Sequence, residues 1–99
     1  METGGSVYIM TNNTHTVLYV GVTSELWSRI YEHKNKIYPN SFSAKYHTVK
    51  LVYYNHFSTI MEAIDEEKRI KGGSRAAKIK LIDKMNPKWR DLGQDVLSE

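Results

Sequence analysis

Two runs of β-branched and aromatic residues lie so close together near the start of the chain that the segment between them can only reverse direction. Residues 6–11 (SVYIMT) and 16–20 (TVLYV) have strand composition. The intervening Asn12-Asn13-Thr14-His15 is turn chemistry, because asparagine tolerates left-handed backbone and bonds to nearby main chain. The expectation is an antiparallel hairpin. Gly21 follows, and is read as ending the second strand where a side chain would crowd its neighbour.

The rest of the chain is punctuated clearly. Ser24 is a candidate N-cap for a helix over residues 25–36, with Leu26, Ile30 and Ile37 as its buried stripe and Trp27 and Tyr31 on the flank. Tyr38-Pro39-Asn40-Ser41 breaks that helix. Residues 48–57 (TVKLVYYNHF) read as a third strand. Thr59-Ile60-Met61-Glu62 has capping-box form and opens a helix over 60–71. Gly72-Gly73 stops it, Ser74 caps another over 75–85, and Asn86-Pro87 ends that one. The order β-β-α-β-α-α predicts an α+β fold, an antiparallel sheet with helices on its faces. At 99 residues there is room for one domain, spanning 1–99 with a core over about 6–92.

Composition removes several classes of chemistry. There is no cysteine, so disulfides, thiolate metal sites and a cysteine nucleophile are all excluded. That absence fits a reducing cytoplasm, as does an N-terminus without the basic and apolar blocks of a signal peptide. No apolar run reaches the roughly 18 residues of a membrane span. The net charge of +3 is unevenly distributed. Residues 68–90 carry nine basic residues against Asp83 alone, a net +8, and the remainder is −5. A basic third of this kind suits a polyphosphate partner, although a solvated lysine-rich helix face has the same composition.

Three groups of residues are not explained by packing alone. Of the seven tyrosines, Tyr8 and Tyr19 fall on opposite strands of the hairpin, where a short turn brings them to neighbouring positions. Arg29 and His33 stand at i and i+4 on the first helix, hence on one face: a fork of hydrogen-bond donors beside a group able to move a proton. Glu67 continues the apolar stripe of Ile60, Ala63 and Ile64, so a carboxylate is directed toward the sheet. Such a group needs a salt bridge, for instance to Arg29 or Lys71, or a hard divalent cation, and periodicity leaves both open. His15, His47 and His56 lack zinc-ligand spacing, and neither a phosphate-binding glycine loop nor a serine elbow is present.

Together these residues resemble the GIY-YIG nuclease domain. Tyr19-Val20-Gly21 is the second signature block; Ser6-Val7-Tyr8 is the first, with Ser6 where the family usually has glycine. The two tyrosines are eleven residues apart, and Arg29 and His33 follow on the next helix. The pattern E-x-x-I-K selects Glu67 rather than Glu66. The segment Asn86-Pro87-Lys88-Trp89-Arg90-Asp91-Leu92 resembles the terminal P-x-aromatic block, with Asp91 at a usual asparagine. The resemblance covers about residues 6–92 and is closest to small, stand-alone, single-domain bacterial members.

The resemblance implies a three-stranded antiparallel sheet flanked by helices, and hydrolysis of phosphodiester bonds with one divalent metal, Mg2+ or Mn2+. It implies that Tyr8 and Tyr19 line the site, one of them activating or positioning water. Arg29 would steady charge on the scissile phosphate, His33 would assist positioning or proton transfer, and Glu67 would hold the metal. Lys68, Lys71, Arg75, Lys78, Lys80 and Lys84 would then hold the backbone of DNA, branched or damaged DNA being the substrate considered. A cation near a tyrosine would lower its ordinary pKa near 10 and make it a better base. The alternatives are a non-catalytic nucleic-acid-binding module with the same fold, and an adaptor for a larger repair protein. The adaptor would show an apolar patch around Trp27, Tyr31 and Trp89.

Overall fold

The computed structural model describes residues 4–35 and 45–98. Three strands, β1 (Gly5–Thr11), β2 (Leu18–Thr23) and β3 (Lys50–Phe57), form one antiparallel sheet in the order β2-β1-β3. Among the described residues, helices α1 (Leu26–Asn35), α2 (Ile60–Lys71), α3 (Arg75–Met85) and α4 (Gly93–Leu97) accompany it. The α+β fold expected from the sequence is the fold found, with α4 added at the C-terminal end.

The sheet is covered on both faces, so its central strand is buried at every residue. Val7, Ile9, Val20 and Val52 pack with Ala63 and Ile70 of α2 and Ile82 of α3. Tyr8, Met10 and Leu51 pack on the other face with Ile30 of α1 and with Leu92 and Val96 at α4. Burying each large apolar side chain contributes roughly 1.5–3 kcal/mol. Between β1 and β3 the register shifts at Ile9/Met10, because Met10 pairs with Leu51 and Ile9 with Tyr53. Val52 is therefore a bulge, which restores the alternation so that Leu51 and Tyr54 both join the Tyr8 face.

Caps explain the helix starts. Thr59 Oγ1 accepts from the Glu62 amide at 3.1 Å and donates to the Glu62 carboxylate at 2.9 Å. Ser74 Oγ accepts from the Ala77 amide at 3.0 Å.

Several expectations need correction. β2 runs on to Thr23, so Gly21 lies inside the strand and does not end it. Thr23, not Ser24, supplies the side-chain bond before α1, accepting from the Glu25 amide at 3.0 Å. In the hairpin turn the left-handed residue is His15 (φ 57°), whereas Asn12 works through its side chain, accepting from the Thr16 and Val17 amides. Trp27 and Tyr31 stack on each other on α1, but Trp89 packs against the opposite layer and stacks on His15, so the three do not form one patch. Ile37 and the break at Tyr38-Pro39-Asn40-Ser41 lie outside the described residues.

α4 is docked by residues that the sequence does not mark as structural. Asp91 Oδ1 accepts from the Leu51 amide at 3.1 Å and the Gly93 amide at 2.9 Å, while its other oxygen pairs with Lys34 Nζ. Lys34 also donates to the Val49 carbonyl at 3.0 Å. One ion pair thus ties α1, β3 and the C-terminal segment together. Asn86 acts in the same way at the end of α3, bonding the Val52 carbonyl at 3.2 Å and the Arg90 carbonyl at 2.8 Å.

Candidate active site

The hairpin register sets the site. Tyr8 pairs directly with Gly21, and Met10 with Tyr19, so the two tyrosines are diagonal neighbours on one face. Their ring centroids are 6.2 Å apart. Tyr8 leans across Gly21 toward β2: a Cβ built on Gly21 would lie 2.5 Å from Tyr8 Cζ and closer still to the hydroxyl. Lacking that atom, Gly21 lets the hydroxyl reach His33, whose Nε2 is 3.1 Å away. The His33 ring is edge-on to both tyrosines, at 5.7 Å from Tyr8 and 5.4 Å from Tyr19.

α1 presents His33 and Arg29 toward the β2 edge because its other flank is committed. There Trp27 Nε1 donates to the Leu97 carbonyl at 3.3 Å, and Trp27 and Tyr31 stack beside α4. The Arg29 side chain is 44% exposed and, among the described residues, has a loose ion pair, 3.7 Å to Glu32. An exposed pair of this kind contributes little, so the guanidinium is free to turn to an anion. Glu32 was not singled out in the sequence, although its i+3 position from Arg29 was a usable signal.

Burial governs the protonation of this cluster. Tyr8 is held well above the usual phenol range, by desolvation first and by Tyr19 second, against an opposing pull from Arg29. Arg29 acts in the expected direction, but desolvation outweighs it at Tyr8. His33 is pushed down from 6.5 to about 4, by desolvation and then by Arg29. At neutral pH the pair is an intact phenol against an uncharged imidazole. It holds a proton and a vacant lone pair at hydrogen-bond distance.

Glu67 belongs to the opposite layer. α2 lies over β1 and β2, and α3 lies over β3. Arg69, Ile70 and Gly73 line the flank of α2 that faces α3. Ile64, Glu67 and Lys71 share the other flank, toward the β2 edge. The Glu67 side chain is only 15% exposed, and its carboxylate is 3.2 Å from Lys71 Nζ. Of the two partners weighed from the sequence, Lys71 is the one found.

The basic stretch does not form one surface. Lys68 and Lys71 accompany Glu67. Arg75 Nη2 donates to the His15 carbonyl at 3.1 Å, beside the hairpin turn. Lys78, Lys80 and Lys84 line a furrow between α2 and α3.

The family model of the GIY-YIG catalytic domain matches residues 4–80, more than three quarters of the chain. The chain belongs to the GIY-YIG catalytic domain family. No curated protein and no solved structure gave a match in the same comparisons. Membership of the GIY-YIG family indicates nuclease-type activity on DNA, and nucleases of this family generally use divalent metal ions. Among the described residues no three histidine, aspartate or glutamate side chains gather into a metal cage. A lone, partly exposed carboxylate suits a hard cation that takes its remaining oxygens from water and substrate phosphate, and does not suit zinc. No described helix is long and apolar enough to cross a membrane.

The GIY-YIG face holds one polar pair that the sequence did not reveal. Ser6, at the usual glycine of the first signature block, pairs with His56 across the sheet, its hydroxyl 3.1 Å from Nδ1. No spacing rule links positions fifty residues apart; only strand register does.

Proposed function

We propose that this protein is a metal-dependent endonuclease that hydrolyses phosphodiester bonds in DNA, acting where the duplex is branched or damaged. The observation that carries the reading is the buried contact between the Tyr8 hydroxyl and His33 Nε2 over Gly21. A phenol this hard to ionise is a poor base alone, but His33 beside it is uncharged. In this reading Tyr8 takes a proton from the attacking water as it passes its own to Nε2, so the proton comes to rest on His33. Tyr19, half-buried beside both, orients the water. Arg29 leaves Glu32 for the scissile phosphate, where its donors meet the charge that grows in the transition state.

Glu67 would hold the metal, Mg2+ or Mn2+, once Lys71 has turned to a phosphate. Held there, the ion would supply polarisation of the phosphoryl oxygen and charge stabilisation of the leaving alkoxide. Lys68 and Lys71 hold the backbone nearest the scissile bond. Arg75, Lys78, Lys80 and Lys84 add a positive field along α3 that attracts the strand from further away. A single domain over 1–99 and a cytoplasmic location belong to the same proposal.

The test is nicking of duplex, flap, fork and four-way DNA with Mg2+ or Mn2+, wild type beside Glu67→Ala. Metal-dependent cleavage that the variant loses supports an endonuclease and shows its preferred structure. Salt-sensitive binding without cleavage by either protein favours the non-catalytic binding module.

A further inference from the structure

The flank of α2 turned away from Glu67 carries a second feature, of which the nuclease reading uses only the charge of its lysines. A cavity of about 260 Å³ lies between α2 and α3, floored by Ile70, Ala77 and Leu81. A second, of about 430 Å³, shares Leu81 and Lys84 with it and continues past Met85 over β3. Together they form a furrow running the length of α3, roughly 16 Å for its eleven residues.

The floor of the furrow is apolar and its rim is cationic. Among the described residues that line it, none is acidic. Two of the rim cations are already engaged: Arg69 makes a bidentate pair with Glu66 at 2.6 Å, and Lys78 donates to the Gly73 carbonyl at 2.8 Å. Lys80 and Lys84 have no such contact among the described residues. They stand one helical turn apart on α3, on the edge of the furrow.

We propose that this furrow docks an acidic amphipathic helix of a partner protein, with its apolar face on Ile70, Ala77 and Leu81 and its carboxylates on Lys80 and Lys84. The charge is complementary, and the spacing of the two lysines matches acidic residues one turn apart on a helix laid along α3. The exposed thioether of Met85, 44% exposed, gives the far end of the furrow an adaptable apolar contact. A phosphate backbone would neutralise the rim but leave the apolar floor in water. The partner, not the small catalytic domain, would then supply the choice of substrate. This goes beyond the endonuclease reading and does not depend on it.

A peptide-display selection on the full chain, counter-selected on Lys80→Gln/Lys84→Gln, tests the proposal. The expected winners combine acidic residues with apolar ones at i, i+3 or i+4, and i+7. A labelled winner should bind wild type and lose about tenfold or more of its affinity, measured by anisotropy, in that double variant and in Ala77→Glu. Ala77 is exposed, so this second substitution blocks the furrow without disturbing the core. Ala77→Gln, which fills the furrow without changing its charge, should weaken the peptide likewise while its affinity for single-stranded and duplex DNA stays within about threefold of wild type. Failure to enrich any peptide, or enrichment of basic or uncharged ones, overturns the proposal. So does a large loss of DNA affinity in Ala77→Gln, which assigns the furrow to nucleic acid. Because no arm reads cleavage, an inactive nuclease would leave the result intact.

Discussion

Gly21 lies directly beneath the hydroxyl end of Tyr8, and the absence of a side chain there is what lets Tyr8 meet His33. A methyl group at Gly21 would have to displace a buried ring with nowhere to go. Gly21→Ala should cost about 1–3 kcal/mol in urea unfolding. Adding Tyr8→Ala to that variant should cost less than the two single losses summed, since the obstructed ring is gone. Simple additivity would show that the ring is not the obstacle.

Tyr8→Phe keeps the ring and removes the proton carrier. Nicking should fall by about two to four orders of magnitude, with unfolding free energy lowered by roughly 1 kcal/mol. Retained activity would move the proton transfer to Tyr19.

The buried, uncharged His33 makes both stability and activity sensitive to acid. Its folded pKa, about 4, lies below the ordinary 6.5, so the unfolded chain binds the additional proton between those values. The contribution from His33 is fully present above about pH 6.5 and is lost as pH falls through about 4. Thermal melts from pH 7 to pH 4 should show a decline in Tm that is shallower in His33→Gln. Cleavage by wild type should fall only as pH approaches about 4, where the imidazole of the folded protein becomes charged. Parallel declines in the two proteins would place the acid sensitivity elsewhere.

Glu67→Gln removes a carboxylate whose partner is the half-exposed Lys71, so stability should change by no more than about 1 kcal/mol. Calorimetric titration with Mn2+ in the presence of uncleavable DNA should give saturable heat for wild type and none for the variant. Cleavage should fall by about two orders of magnitude or more. A large drop in Tm without metal would make Glu67 a structural residue.

Asp91→Ala strands the Leu51 and Gly93 amides and takes the counter-charge from Lys34, which keeps the Val49 carbonyl. Urea unfolding should show a loss of about 2–4 kcal/mol, with α4 the first element to exchange its amides. Asp91→Asn, which keeps an acceptor for the two amides, should recover part of that loss.

The sequence alone was enough for most elements that depend on local rules, although it put the bond before α1 at Ser24 rather than Thr23. Strand composition and turn residues placed the hairpin, caps at Thr59 and Ser74 placed α2 and α3, and helical periodicity picked out Arg29, His33 and Glu67. Ordered blocks around Tyr8, Tyr19 and Glu67 were sufficient to indicate the family. Periodicity also placed Glu67 on a sheet-facing stripe, but could not choose between Lys71 and a metal as its partner.

Other features depend on distance in space rather than along the chain. Whether Gly21 ended β2 or made room within it depended on which residue lay opposite, and that is a property of strand register. The protonation of Tyr8 and His33 follows from burial between α1 and the sheet, which at Tyr8 outweighs the lowering by Arg29. The basic residues of 68–90 lie close together in sequence, yet the turn at Gly72-Gly73 and the 3.6-residue helical period distribute those on α2 and α3 over different flanks. Local chemistry is written in neighbouring letters, whereas desolvation and register arise only when distant segments are packed together.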